Sequence, residues 1–175
     1  MIKPFPELKT ERLTLRRIEE SDSNIILFLR SDKVVNKFIE RPIDRQTKTT
    51  SDAVKHIKKL DFQFKNNQSV SWGITINNNP KIIGTICLWN FSEDQKTAEV
   101  GYDLIPLFQK KGIMSEALKR VINFGFTTLN FNTIEAYTDF KNKNSVKLLE
   151  NNGFYVVPNK KDKDNLSNVI FEIKK

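Results

Sequence analysis

The sequence has a single cysteine, Cys87, and a single histidine, His56, among its 175 residues. One cysteine forms no disulfide within the chain, which excludes a disulfide-stapled scaffold and favours a reducing compartment. A lone histidine without a cysteine cluster gives no reason to expect a metal site. No apolar run approaches the ~18 residues that span a bilayer, and the first residues form no apolar leader. We therefore expect a cytoplasmic protein with no metal and no membrane partner.

Length and composition favour one globular domain over residues 1–175. Hydrophobic residues make up 38% and charged residues 29% of the chain, which is typical of a globular protein and not of a disordered one. Lysine and arginine number 29 against 21 acidic residues, so the formal net charge is +8. Such a surface attracts phosphate groups, either of nucleic acid or of a phosphorylated small molecule. The basic residues are scattered, which is typical of an ordinary solvated surface.

Two periodicities divide the chain into strands and helices. Runs of strand character lie at residues 12–18, 70–76, 81–91, 97–105, 131–138, 154–157 and 168–173. Apolar residues three and four apart predict helices at 25–29, 32–39, 51–66, 117–126 and 146–151. The helix between the strands at 97–105 and 131–138 makes those strands parallel neighbours. We expect an α/β (α+β) fold with a mixed, mostly antiparallel seven-stranded sheet and helices on both faces.

One loop carries the clearest functional signal. A strand ends at Pro106, a helix begins before Ala117, and Lys110, Lys111 and Gly112 lie between them. The first amides of a helix lack partners and the helix dipole adds positive charge, so such a place binds phosphate. Gly112 permits a positive φ or a close approach to a ligand. A loop without a ligand is the alternative, whereas the dinucleotide fingerprint and the nucleotide P-loop do not match.

This loop resembles the pyrophosphate-binding motif of the GCN5-related N-acetyltransferase (GNAT) superfamily, through Gln109-x-x-Gly112. The flanking residues 98–104 and 115–118 are similar to the RimJ/RimL branch, whose best-known members acetylate the N-termini of ribosomal proteins. Residues 8–22, chiefly residues 10–16 within them, resemble the opening of that branch, and residues 142–154 resemble its closing motif. The resemblance covers most of residues 8–157. It implies the GNAT fold, in which the sheet is splayed in the middle.

The resemblance implies that acetyl-CoA is the cosubstrate and that the splayed strands hold it. Leu104 and Ile105 would contact pantetheine through their main chains, much as an added strand does. Asn142 and Ser145 would reach the pantetheine from the last helix, although an ordinary helix cap is the alternative for Asn142. The diphosphate would lie on the amides of seven residues: Gln109, Lys110, Lys111, Gly112, Ile113, Met114 and Ser115.

The same resemblance implies direct attack of a primary amine on the thioester, with the oxyanion held by a strand amide near Ile105. An amine is mostly protonated at neutral pH, so a carboxylate acting directly or through water is useful. Our candidate catalytic base is Glu99, and Glu135 on the neighbouring strand is the weaker alternative. An exposed glutamate paired with a lysine is an equally good interpretation of Glu99.

Two positions depart from the family pattern. Met114 stands where Gly or Ala is usual, which puts the closest backbone approach to the phosphates in question. Leu149 stands where many relatives carry a tyrosine that protonates the leaving thiolate. Ser145 is therefore our candidate proton donor, and unassisted departure of the thiolate is the alternative.

The expected acceptor is a protein N-terminus or a small-molecule amine, chosen by residues 23–66 and 154–172. Two other functions stay open. One is a catalytically inactive CoA-binding protein, for which the departures at Met114 and Leu149 would be the signs. The other is a nucleic-acid-binding domain that uses the basic surface, although interleaved exposed aromatics and a recognisable motif are lacking. The resemblance implies a monomer or a homodimer, and we expect the homodimer.

Overall fold

The structure is a computed structural model that describes residues 4–175. Four helices lie in this part of the chain: α1 (Ser23–Ser31), α2 (Thr50–Lys65), α3 (Ile113–Thr127) and α4 (Lys143–Asn151). Eight strands form one sheet: β1 (Leu8–Lys9), β2 (Leu13–Arg17), β3 (Val70–Ile76), β4 (Ile82–Trp89), β5 (Thr97–Leu104), β6 (Thr133–Asp139), β7 (Tyr155–Val156) and β8 (Asn168–Lys174). None of the helices described has the length and hydropathy that crossing a membrane requires.

The sheet has the strand order β1-β2-β3-β4-β5-β6-β8-β7. Every neighbouring pair is antiparallel except β5 and β6, which are parallel and are joined through α3. The expected mixed, mostly antiparallel sheet is therefore confirmed. The expected count of seven strands is one short, because β1 pairs only Leu8 with Leu15 and Lys9 with Thr14. A strand of two residues is too short to show a periodicity.

The sheet opens between β5 and β6. These strands pair only from Thr97 to Glu99 on β5, opposite Thr133 to Glu135 on β6. The rest of β5, residues 100–104, has β4 on one side and no strand of the described residues on the other. At 3.3 Å per residue this open edge is about 13 Å long. The splay that the family resemblance implied is therefore present at the expected crossover.

The two faces of the sheet bear different helices. One face packs Ala98, Val100 and Leu104 of β5 into the main core together with α3 and Leu149 of α4. The other face carries a smaller core formed with α1 and α2. Because side chains alternate along a strand, Glu99, Gly101 and Asp103 point to the α1/α2 face. Side chains from both faces of the sheet can therefore reach a molecule bound at the open edge, and the two faces present different residues.

One helix prediction needs correction. The helix predicted at 32–39 is wrong: these residues form turns, and the Asp32 side chain accepts hydrogen bonds from the amides of Val34 and Val35, both at 2.9 Å. A side chain that binds nearby amides competes with a helix. Helix α2, predicted within one residue at each end, is capped by Thr49 in a capping box with Asp52.

Candidate active site

The loop between β5 and α3 presents unpaired main-chain amides. Gly112 has a φ of +74° at the start of α3, and no side chain caps the helix there. Within residues 4–175, the amides of residues 110–115 donate to no protein acceptor. Successive amides that face a helix N-terminus form an anion site, to which the dipole of α3 contributes. This part of the predicted phosphate loop therefore fits a diphosphate.

Gln109 has a different role from the residues that follow it. Its main-chain amide donates to the Pro106 carbonyl at 3.1 Å, and its side-chain amide donates to the Leu104 carbonyl at 3.0 Å. Both groups are thus used inside the protein. Gln109 braces the turn after β5, and the free amides begin one residue later.

Met114 and Ser115 turn their side chains away from the loop. Met114 is 8% exposed and packs in the main core, so the unusual side chain at this position lies under the helix while its amide stays available. The Ser115 hydroxyl donates to Asn152 at 2.9 Å, which ties the start of α3 to the end of α4. The departure at Met114 therefore does not block the main-chain amides.

Arg12 holds the start of α3 and was missed as a site residue by sequence reasoning. Its Nε lies 2.6 Å from Oε2 of Glu116, and its Nη1 donates to the Lys111 carbonyl at 3.1 Å. Thr10 donates to the same glutamate at 2.6 Å. Burial opposes the ionisation of Glu116, but these hydrogen bonds outweigh it and lower its pKa. The available signal was the similarity of residues 10–16 to the family opening.

The main chain of Ile105 is fully engaged. Its amide donates to the Ile83 carbonyl and its carbonyl accepts from the Phe108 amide, both at 2.9 Å. The expectation that this residue offers a main-chain contact, or an oxyanion donor, therefore needs correction. Because successive strand amides point in opposite directions, those of Tyr102 and Leu104 face the opening instead. Leu104 remains well placed for the predicted pantetheine contact.

Helix α4 brings Asn142 and Ser145 towards the opening. The Asn142 side-chain oxygen accepts from the Ser145 amide at 3.2 Å, so the ordinary capping role is present. The Asn142 side-chain NH2 donates to no group within residues 4–175 and is left for a ligand. A cap and a ligand contact are thus compatible at this residue.

A hydroxyl pair spans the opening between β5 and α4. The Tyr102 and Ser145 hydroxyl oxygens lie 2.8 Å apart. Burial raises the pKa of Tyr102 to about 12, so the phenol keeps its proton at neutral pH. Leu149, at the usual tyrosine position, is fully buried in the core. Tyr102 lies within the stretch that resembles the family, but nothing in its spacing indicated that it would meet Ser145.

Glu99 and Glu135 are direct neighbours across the parallel pair of strands. Lys160 forms an ion pair with Glu135, and the Tyr137 hydroxyl donates to the same carboxylate at 3.1 Å. Glu99 receives only a long contact of 3.5 Å from Asn90, and no cation of the described chain pairs with it. The structural role of a lysine-paired glutamate therefore belongs to Glu135.

The isolation of Glu99 changes its acidity. Burial is the main cause that raises the pKa of Glu99 to about 7, with the negative charges of Asp162 and Glu135 adding to it. The Asn90 contact and Lys160 act in the opposite direction. A carboxylate with a pKa near 7 is suited to accept a proton at neutral pH.

A cavity of about 210 Å³ lies away from these residues. It is lined by Phe64, Ser69, Phe91 and Phe131, near the beginning of β5 and the end of α3. Because the free amides lie at the other ends of both elements, this cavity does not belong to the candidate active site.

Comparison with known proteins decides which family carries this geometry. The acetyltransferase (GNAT) domain family matches residues 12–155. The chain belongs to the GNAT acetyltransferase family. Among its relatives, the uncharacterized N-acetyltransferase p20 of Bacillus licheniformis is 33% identical over 147 residues, which are 84% of this chain and 81% of the relative. The uncharacterized N-acetyltransferase YoaA of Bacillus subtilis is 29% identical over 150 residues, covering 86% and 83%.

Solved structures agree with this GNAT fold. The ribosomal-protein-S5-alanine acetyltransferase of Vibrio fischeri superposes with a TM-score of 0.82 at 23% identity, over 97% of this chain and 96% of its own. RimL, a ribosomal L7/L12 α-N-protein acetyltransferase in complex with coenzyme A, gives a TM-score of 0.82 at 17% identity, over 97% and 98%. The expected fold and the expected membership of the GNAT family are therefore confirmed, and the protein is an acetyltransferase. Ribosomal-protein acetyltransferases are among the proteins that share this fold.

Proposed function

We propose that this GNAT protein transfers the acetyl group of acetyl-CoA to a primary amine by direct attack, and that residues 1–175 act as one N-acetyltransferase domain. The observation that carries the proposal is the presence of two sets of free main-chain groups, one at the open edge of β5 and one in the amides of residues 110–115, on either side of the turn at residues 105–109. Acetyl-CoA supplies the activated acyl group. The chain supplies the groups that bind acetyl-CoA, the base and the proton donor.

The free amides of residues 110–115 hold the diphosphate, with Lys110 and Lys111 adding positive charge. The open main-chain groups of Tyr102 and the amide of Leu104 hold the pantetheine, and Asn142 reaches it from α4. The thioester then lies within the splay, between the α1/α2 face and the α3/α4 face. This arrangement exposes it to Glu99 on one face and to the hydroxyl pair on the other.

Glu99 accepts the proton that the acceptor ammonium loses, either directly or through one water. The amine nitrogen then forms its bond to the acyl carbon, the bond from that carbon to sulfur breaks, and the second proton that the nitrogen loses passes to solvent. A peptide α-amine, with an ordinary pKa near 8, is closer to the pKa of Glu99 than an alkylamine near 10. Proton transfer to Glu99 is therefore less unfavourable from a protein N-terminus than from an alkylamine.

The Tyr102–Ser145 pair gives a proton to the departing sulfur. Whichever hydroxyl donates within the pair, the other keeps a proton that is not used between them. That proton goes to sulfur, and the pair regains a proton from solvent after the product leaves. This pair takes over the role of the tyrosine that is absent at Leu149.

Two comparisons favour a protein acceptor. The structural neighbours include proteins named as ribosomal-protein acetyltransferases, and one curated relative, YdaF of Bacillus subtilis, carries a similar name. We therefore propose a protein N-terminus as the first acceptor to test and a small-molecule amine as the second. The homodimer stays a prediction, for which sedimentation velocity is the measurement.

The test combines cofactor binding with release of free thiol. Acetyl-CoA is expected to raise the melting temperature, and peptides with a free N-terminus are expected to release CoA thiol faster than the same peptides with a blocked N-terminus. Glu99→Gln is the matched control, since it retains the cofactor grip and loses the base. Stabilisation by acetyl-CoA without thiol release from any peptide or small amine would contradict the proposed activity.

A further inference from the structure

Two arginines on the α1/α2 face lack a counter-ion. Arg30, in the last turn of α1, donates to the Thr47 hydroxyl and to the Arg45 carbonyl, both at 2.7 Å. Arg41 donates to the side-chain oxygen of Asn36. Both arginines are partly buried, and neither has a carboxylate within 4 Å among residues 4–175. A desolvated cation without a paired anion is costly in an apoprotein.

The surroundings of these arginines add little negative charge. Asp103 is the carboxyl group whose charge acts on both, and it is itself held by the amide and hydroxyl of Thr85, at 2.9 and 2.8 Å. Burial lowers the pKa of His56 to about 3, with Arg30 and Arg41 adding to the effect, so this imidazole is neutral. Two guanidinium groups face at most one carboxylate, and the net charge is positive.

This positive cluster lies on the same face of the sheet as the proposed catalytic base. Arg30 belongs to α1, which packs on the face to which Glu99 and Asp103 point. Arg41 lies beside the end of the same helix, because its partner Asn36 donates to the Leu29 carbonyl at 2.9 Å. Cys87 pairs with Gly101, which lies between Glu99 and Asp103 on β5. A Cβ on Gly101 would lie only 3.3 Å from the Cys87 sulfur. Glycine at this position therefore leaves the surface of β5 between Glu99 and Asp103 without a side chain.

We propose that Arg30 and Arg41 form an anion subsite for the acceptor, which is therefore a primary amine that also carries a carboxylate or phosphate. The inference rests on the proposed function, since it places the amine at Glu99. An acceptor anion supplies the counter-charge that the two guanidinium groups lack. Arginine also suits this role because its planar donors match carboxylate and phosphate oxygens.

The register of β5 sets the length of such an acceptor. Cys87 stands opposite Gly101, two residues from Glu99, and Asp103 is four residues from it. At 3.3 Å per residue, these two positions lie roughly 7 and 13 Å along β5 from Glu99, and we infer an acceptor whose amine and anion are separated by a span of this order. A peptide with an acidic side chain at its second or third position has this reach, and so does a small ω-amino carboxylate.

The test uses acceptors matched in shape and different in charge. Ala-Glu-Ala amide is compared with Ala-Gln-Ala amide, and 6-aminohexanoate with 6-aminohexanamide, by thiol release from acetyl-CoA. For each pair that the enzyme acetylates, we expect kcat/KM to be at least about tenfold higher for the anionic member than for the neutral one. The peptide pair and the small-molecule pair distinguish the two sources of the anion. Equal rates within both pairs, or preference for the neutral members, would overturn the inference.

Variants at Arg41 assign the preference to this subsite. In Arg41→Gln, the ratio of kcat/KM for the anionic acceptor to kcat/KM for the neutral one is expected to fall close to one. Arg41→Lys is expected to restore part of this preference. Arg120→Gln, on α3 at the other face of the sheet, is the matched control and should keep the full preference. Melting curves establish that each variant is folded. A folded Arg41→Gln enzyme that keeps the tenfold preference would refute the subsite.

A binding measurement separates this inference from the proposed function. If no acceptor releases thiol, the proposed activity fails, and the subsite is tested by calorimetric titration of Ala-Glu-Ala amide into the protein. Binding at least tenfold tighter than that of Ala-Gln-Ala amide, and lost in Arg41→Gln, would uphold an anion site in an inactive protein. Equal affinities for the two peptides would overturn it.

Discussion

Replacing Glu99 by glutamine tests the proposed base, and the pH dependence makes the test specific. Glutamine keeps the size of the side chain and removes the ability to accept a proton. Loss of a general base typically slows a reaction by about 100- to 10,000-fold, so we expect a fall of at least about 100-fold at pH 8. A smaller effect would indicate that Glu99 only packs beside Glu135.

The magnitude of the pH effect follows from the pKa of about 7. Glu99 must be ionised to act, and its ionised fraction is roughly 0.1 at pH 6 and 0.9 at pH 8. We measure kcat/KM for wild type and for Glu99→Gln with the same acceptor and take their ratio. Titration of the acceptor amine affects both enzymes and cancels in the ratio. The ratio should rise about tenfold from pH 6 to pH 8 and then level off.

Glu135→Gln is the matched control for this experiment. Its carboxylate raises the pKa of Glu99, so its removal should move the midpoint of the profile to lower pH and leave the plateau in place. A ratio that is flat between pH 6 and pH 8 would refute the assignment of Glu99 as the base.

The same substitution has a predicted effect on stability. The pKa of Glu99 is raised from 4.5 to about 7, so ionisation disfavours the folded state, and stability is lost as the pH rises through this range. The full shift corresponds to at most about 3 kcal/mol. Glu99→Gln should therefore unfold at higher denaturant concentration than wild type at pH 8, and at the same concentration at pH 4.

The remaining predictions concern the hydroxyl pair and the phosphate loop. Tyr102→Phe should lower kcat by about 10- to 100-fold with little change in the KM for acetyl-CoA, and adding Ser145→Ala should cost little more, because the two hydroxyls act as one unit. Unchanged kcat in both variants would remove the proton-donor role. Gly112→Ala should cost about 1 kcal/mol in denaturant unfolding and weaken CoA binding in calorimetry, since alanine is strained at a φ of +74°. Glu116→Gln should lower the free energy of unfolding by about 1 kcal/mol. This value is kept small because the Arg12 side chain of the ion pair is 49% exposed and solvent screens the interaction. Because the pKa of Glu116 is lowered, this loss should be present at pH 7 and disappear as the pH falls below 4.5.

The sequence predicted the elements that bury an apolar face. Strand β3 was predicted at its observed bounds, and α2 within one residue at each end, because alternation and three-to-four spacing reflect burial directly. Residues 32–39 were predicted wrongly because Asp32 bonds the next amides, which an apolar pattern does not show.

The candidate site was only partly predictable for a similar reason. The Gly112 loop is contiguous in sequence, and its amides face a helix start wherever a strand, a glycine and a helix follow one another. The contacts of Tyr102 with Ser145 and of Arg12 with Glu116 join residues far apart in the chain. Only the folded sheet brings such pairs together. The choice between Glu99 and Glu135 likewise depended on where Lys160 lies.

The most direct measurement is a crystal structure of the protein with coenzyme A bound. We predict that the diphosphate accepts hydrogen bonds from the amides of residues 110–115 and that the pantetheine lies along β5 at Tyr102 and Leu104. The sulfur should then lie near the Tyr102–Ser145 pair. Coenzyme A bound elsewhere, or an opening filled by side chains at saturating coenzyme A, would contradict the account.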